Sequence, residues 1–266
     1  MEQQDRASKA RARIAEALGE KSARQRGEEK TLLALDWIYR WGCSSPSIVD
    51  MLSGAAAAGL AARLVRRGLL VKTKTESGGG RKDVPNFILT LSLSGLEEVE
   101  RVRDALLPYE LDPFKIRQDQ LRHTIIAQAA TARNVLSGAI NGFQSEAEMA
   151  QKSKRGTKQP DICWLMPDGR RVGVEVELTA KWGRDLDDFV GACLVATRRR
   201  EGSNPRFDEI WVVTDSPAIE RRYKAAFSPG APINIWKKNE QRRWIVEKPA
   251  TVPDWAKDRI TCHLLK

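Results

Sequence analysis

Apolar positions recur at helical spacing from Lys30 onward. In TLLALDWIYRWG, the residues Leu32, Leu33, Leu35, Ile38 and Trp41 give a helix one apolar side. Ser44-Ser45-Pro46 then places a cap residue before a proline and predicts the start of a second, short helix, SIVDMLSG, closed by Gly54. AAAAGLAARLVRRGLL predicts a third helix, alanine-rich for close packing, with Arg63, Arg66 and Arg67 on its exposed side. There the period changes. LLVKTKT reads as a strand, SGGGRKDVPN as a glycine-rich turn carrying Arg81 and Lys82, and FILTLSLSG as a returning strand. LEEVERVRDALL predicts one more helix, ending before Pro108.

The segment PYELDPF marks a boundary. A long helix is predicted over 115–139, with Ile116, Leu121, Ile125, Ile126, Ala129 and Val135 on its apolar side. DICWLM and RRVGVEVEL follow as strands around the turn Pro167-Asp168-Gly169. RDLDDFVGACLVATRRR predicts a helix, DEIWVVTD a buried strand, SPAIERRYKAAF a helix, and INIWKK and RWIVEK two short strands. The order of the first half is that of a winged helix-turn-helix. The second half alternates into a three-layer α/β domain. The expected division is a polar arm over 1–28, a winged helix-turn-helix over 29–107, the α/β domain over 113–248 and a tail over 249–266.

Charge adds a partner to this picture. The 266 residues carry 45 Lys and Arg against 35 Asp and Glu, a net charge of +10. Such a surplus favours a polyanion, because neutralised phosphates release counterions. The third helix and the turn would then meet double-stranded DNA through Arg63, Arg66, Arg67, Arg81 and Lys82. The arm over 1–28 alternates cations and anions and reads as a solvated extension, with a phosphate-touching arm as the other reading. Only two histidines occur, which excludes a histidine-cluster metal site or an HExxH motif. The four cysteines form no CxxC pair, and the expectation is a reducing, cytoplasmic setting. No apolar run approaches a membrane span, so no membrane insertion is expected.

The candidate chemistry lies in Pro160-Asp161 and Glu175-Val176-Glu177. On a strand, Glu175 and Glu177 share one face while Val174, Val176 and Leu178 share the other. A tight turn at Pro167-Asp168-Gly169 would bring Asp161 toward them. Three converging carboxylates repel, and a hard divalent cation, Mg²⁺ or Mn²⁺, would relieve that repulsion. Such an ion activates water and stabilises charge on a scissile phosphate.

At these residues the sequence resembles the PD-(D/E)xK, or restriction-endonuclease-like, superfamily. The resemblance implies metal binding by Asp161 and Glu175. Glu177 stands where that family usually has lysine, and Lys181 is expected to take the lysine's place. His123 in the preceding helix, and Glu146 or Glu148 in GFQSEAEM, are further candidates. The order of a winged helix, LRH, SEAEM, PD and VEVELTAK also resembles plasmid replication-relaxation proteins and MobC-type mobilisation proteins. There the signature would be Asp161, Glu175, Glu177 and Lys181. This implies a relaxase-like nickase acting at a plasmid transfer or replication origin during conjugation, with relaxosome or coupling proteins as partners. Two other readings stand beside it: a catalytically inactive accessory DNA-binding protein, and a free restriction-type endonuclease.

Overall fold

A computed structural model describes residues 22–54, 59–151, 159–199 and 201–265. The chain forms two compact units, one of residues up to Gly78 with Pro85–Ile116, the other of Gly79–Val84 with the residues from Arg117 onward. Both helices and sheets build the fold, which is a mixed α/β one. No helix among the described residues is long and apolar enough to cross a membrane.

In the first unit, α1 (Ala23–Trp41) begins at a capping box. Ser22 accepts from the Gln25 amide, and the Gln25 side chain accepts from the Ser22 amide. The unit therefore starts before the expected boundary at 29, because the charged turn ahead of Leu32 is already helical. α2 (Pro46–Leu52) is capped by Ser45, which accepts from the Ile48 amide. α3 (Leu60–Arg66) follows Gly59, whose φ of 139° admits no ordinary side chain. The start expected for this helix, at Ala55–Ala58, lies outside the described residues. Asp50 of α2 fixes the approach by accepting from the Gly59 and Ala61 amides.

β1 (Leu70–Lys74) and β2 (Phe87–Leu91) pair antiparallel from Leu70↔Leu91 to Lys74↔Phe87. α4 (Leu93–Glu100) comes next, and its Gly95 is squeezed against main chain: a Cβ there would lie 2.1 Å from the Leu69 carbonyl oxygen. Leu35, Ile38, Leu64, Leu89, Leu91 and Val99 fill the core. Two tyrosines fasten the segment after α4. Tyr39 donates to the Leu107 carbonyl and accepts from the Leu107 amide. Tyr109 donates to the Gly42 carbonyl and accepts from the Leu91 amide. These bonds carry the unit past the expected end at 107.

The second unit opens with α5 (Leu121–Leu136). The helix expected over 115–139 is shorter, because Asp112 and Pro113 set a 3₁₀ turn at Pro113–Lys115 that the extended Ile116 ends. β3 (Gly142–Ser145) and α6 (Glu146–Gln151) follow, a strand and a helix that the apolar pattern did not predict. β4 (Ile162–Leu165), β5 (Arg171–Val176), α7 (Gly183–Thr197), β6 (Glu209–Thr214) and α8 (Pro217–Ala226) complete the alternating region. β7 (Pro232–Lys238) and β8 (Trp244–Thr251) form a separate antiparallel ribbon. β7 is tied to α7 where Trp236 Nε1 and Asn234 Nδ2 donate to Asp187.

The main sheet has the order β3-β4-β5-β6-β9, where β9 is Ile260–Leu264. β3, β4 and β5 run antiparallel in sequence, and β5–β6 and β6–β9 are parallel. This corrects the reading of 249–266 as a tail. Val252, Ala256 and Ile260 are buried, and β9 covers the β6 edge with Ile210 opposite Ile260. α5 lies on one face of the sheet, where Trp164 Nε1 donates to Thr131. α7 and α8 lie on the other, where Phe189, Tyr223 and Phe227 pack with Cys163, Ile210 and Val212.

Candidate functional site

Pairing of Ile162 with Val174 and of Cys163 with Gly173 sets the register of β4 on β5. Continued by one residue, it puts Asp161 opposite Glu175. Pro160 is buried over Gly173, the one residue type that leaves it room: a Cβ at Gly173 would lie 3.2 Å from Pro160 Cγ and 3.3 Å from Phe207. The small residue in β5 thus seats the proline, and the proline seats Asp161. Asp161 Oδ2 accepts from the Val176 amide at 2.7 Å and lies 3.1 Å from His123 Nε2 of α5.

Strand alternation sends Glu175 and Glu177 to one side, as expected, but both are nearly enclosed, at 3% and 6% exposure. Glu177 is held at both oxygens. Its Oε1 pairs with the Lys181 ammonium, and its Oε2 accepts from the Tyr223 hydroxyl at 3.0 Å. Burial of an ionised carboxylate is costly unless it is paired, and here the lysine and the phenol offset that cost. The same ammonium stands 4.6 Å from the centre of the Phe189 ring. Asp161, Glu175, Glu177, Lys181 and His123 line one cavity of about 430 Å³, together with Asp119 and Arg122.

Local fields follow from this packing. Burial pulls the His123 pKa down, yet the hydrogen bond and charge of Asp161 outweigh it and leave the imidazole above its usual value. Burial, then the Glu177 charge, pushes the Tyr223 phenol far up.

Among the described residues, no three His, Cys, Asp or Glu side chains form a ready metal-binding group. The expected carboxylate triad is therefore revised. Glu177, with both oxygens engaged, does not fit as a ligand and instead fixes Lys181. Asp161 and Glu175 do fit a hard cation by donor chemistry, because Mg²⁺ takes one or two carboxylates and completes its shell with water and phosphate.

Glu148 has a local role: it accepts from the Ser145 amide while Ser145 accepts from the Glu148 amide, a capping box that opens α6. In the first unit, Arg63 and Arg66 are exposed on α3, but Arg67 donates to Thr31 of α1 at 3.2 Å. Arg81 and Lys82 are exposed in the turn between β1 and β2, which groups with the second unit; Arg81 lines the same cavity, and Lys82 lies 3.9 Å from Asp215. Two groups were missed in the sequence. Tyr223 holds Glu177, and Arg222 donates through Nε to the Lys181 carbonyl at 2.8 Å.

No family model, curated protein or solved structure matches this chain.

Proposed function

We propose that the chain is a divalent-metal-dependent DNA endonuclease or nickase. In this reading the first unit is a winged helix-turn-helix that binds duplex DNA, and the second is a restriction-endonuclease-like domain that hydrolyses a phosphodiester. The observation that carries it is one cavity in which Asp161 faces Glu175 across a strand pair and Lys181 is fixed on Glu177.

Asp161 and Glu175 would hold Mg²⁺ or Mn²⁺. When bound, such an ion lowers the pKa of coordinated water and neutralises charge on phosphate. The Val176 amide orients Asp161, and His123 restrains the same oxygen. Glu177 and Tyr223 hold the Lys181 ammonium toward the cavity, where it stabilises negative charge growing on the phosphoryl oxygens. Arg63 and Arg66 on α3, and Arg81 and Lys82 in the turn, supply phosphate contacts that position the duplex. The order of motifs along the sequence favours a plasmid transfer or replication origin as the DNA, with relaxosome or coupling proteins as partners.

The test is supercoiled plasmid, with and without an origin segment, incubated in EDTA, Mg²⁺ or Mn²⁺. Metal-dependent relaxation that disappears in Asp161→Ala and Glu175→Ala, with DNA binding retained, is the expected result. Relaxation that persists in both variants overturns the proposal, and equal cleavage of plasmids lacking an origin favours a free restriction-type endonuclease.

One observation favours a second reading. Glu177 is engaged at both oxygens and Asp161 at one by protein donors, so the second unit would stand without a metal, as an inactive scaffold in an accessory DNA-binding protein. A Mn²⁺ titration separates the two, since the scaffold binds none.

A further inference from the structure

Trp182 is 67% exposed, more than any other tryptophan among the exposed large apolar residues. It follows directly on Lys181, whose ammonium lines the cavity. Its indole is not loose. The Arg222 guanidinium lies 3.1 Å from the ring centroid, and Arg222 Nε is itself anchored to the Lys181 carbonyl at 2.8 Å. The next residue, Tyr223, is fixed on Glu177. One helix, α8, therefore holds both the charged pair in the cavity and the backing of the indole beside it. A large flat ring is held still, with a cation on one face and most of its surface in water.

Exposure of so much apolar surface is unfavourable, and fixing it adds an entropic cost. The arrangement suits a planar π-surface as its ligand. Nucleobases are such surfaces, and they stack on aromatic side chains with little regard to sequence. Inside a duplex both faces of a base are covered by its neighbours, so only an unpaired or extruded nucleotide offers a face. A strand whose phosphate sits at Lys181 brings the adjoining base to the residue next along the chain.

We propose that Trp182, backed by Arg222, is a stacking platform for an unpaired base beside the phosphate held in the cavity. The substrate class is then nucleic acid that is locally single-stranded at the site. This rests on the reading of the cavity as a phosphodiester site, but its readout is binding rather than cleavage.

The experiment is fluorescence anisotropy in EDTA with a short single-stranded oligonucleotide and the matching duplex. Trp182→Ala is expected to weaken single-strand binding about ten-fold. Trp182→Phe should keep most of that affinity, and duplex affinity should change less than about two-fold in either variant. A 2-aminopurine placed in the strand should lose fluorescence on binding the unaltered protein and keep it with Trp182→Ala. Unchanged single-strand affinity, or equal weakening for strand and duplex, overturns the platform. The two proposals fail separately. A protein that cleaves but is indifferent to Trp182→Ala loses only the platform, and one that stacks the base but never cleaves loses only the nuclease.

Discussion

Lys181 rests its ammonium on Glu177, four residues upstream and just past the end of β5, and Glu177 is almost wholly enclosed. A lysine on a loop, steered by a buried carboxylate, can put a cation where the strand itself cannot. Glu177→Gln should keep the shape but loosen the lysine. If the second unit cleaves DNA as proposed, cleavage by this variant should fall about a hundred-fold, the size expected for loss of one preorganised charge. Duplex affinity in EDTA should stay within about two-fold. A Glu177→Gln protein that cleaves at the normal rate would show that the pair is structural only.

Tyr223 is the second holder of Glu177. Tyr223→Phe leaves a buried carboxylate oxygen without its donor and should cost about 1–3 kcal/mol, measured by urea unfolding.

The three tyrosines also predict an alkaline limit. Burial raises the phenol pKa of Tyr39, Tyr109 and Tyr223 above 10.0, the ordinary value. The unfolded chain therefore loses phenolic protons before the folded one does. Their contribution to stability is complete below pH 10 and is lost as pH rises through and beyond it. Absorbance at 295 nm should stay flat through pH 10 in the native protein and rise near pH 10 in urea. Tyrosinate appearing below pH 10 in the folded protein would contradict this packing.

Gly95 predicts a steric limit in the first unit. Its missing Cβ leaves room for the Leu69 carbonyl, which itself accepts from the Ser92 amide. Gly95→Ala forces α4 away from the main chain at Leu69, just before β1, and should cost about 2–3 kcal/mol. Gly27→Ala, at a helix position with nothing within 4 Å, is the control and should be neutral or slightly stabilising.

If α3 meets DNA, Arg63→Ala and Arg66→Ala should each lower the slope of log affinity against log salt by about one, uniformly across sequences. Arg67→Ala should instead lower stability, because Arg67 is bonded to Thr31. Unchanged salt slopes in the first two variants would remove α3 from the interface.

The placement of Asp161, Glu175 and Glu177 was legible in the sequence, and the reason is local. A strand period of two puts Glu175 and Glu177 on one side, and Pro167-Asp168-Gly169 turns β4 onto β5 with Asp161 at the start. What was not legible depends on distant partners. β3 is four residues, two of them Gly142 and Gln144, and it is a strand only because β4 lies beside it. β9 likewise needs β6. Arg222 looks like any cation of an amphipathic helix until the Lys181 carbonyl is placed beneath it. Glu148 is a different case: Ser145-Glu146-Ala147-Glu148 has the spacing of a capping box, a signal present in the sequence itself.

The parallel pairing of β6 with β9 also has a kinetic side. Ile210 and Ile260 meet across the whole of α8 and the β7–β8 ribbon. Closing so long a loop is entropically slow, and parallel strands far apart in sequence are late to pair. Until β9 docks, β6 offers an open edge of the main sheet, the kind of surface through which partly folded chains join one another. The docking of β9 is therefore the step expected to be slow, and the open β6 edge before it the surface expected to be most prone to association.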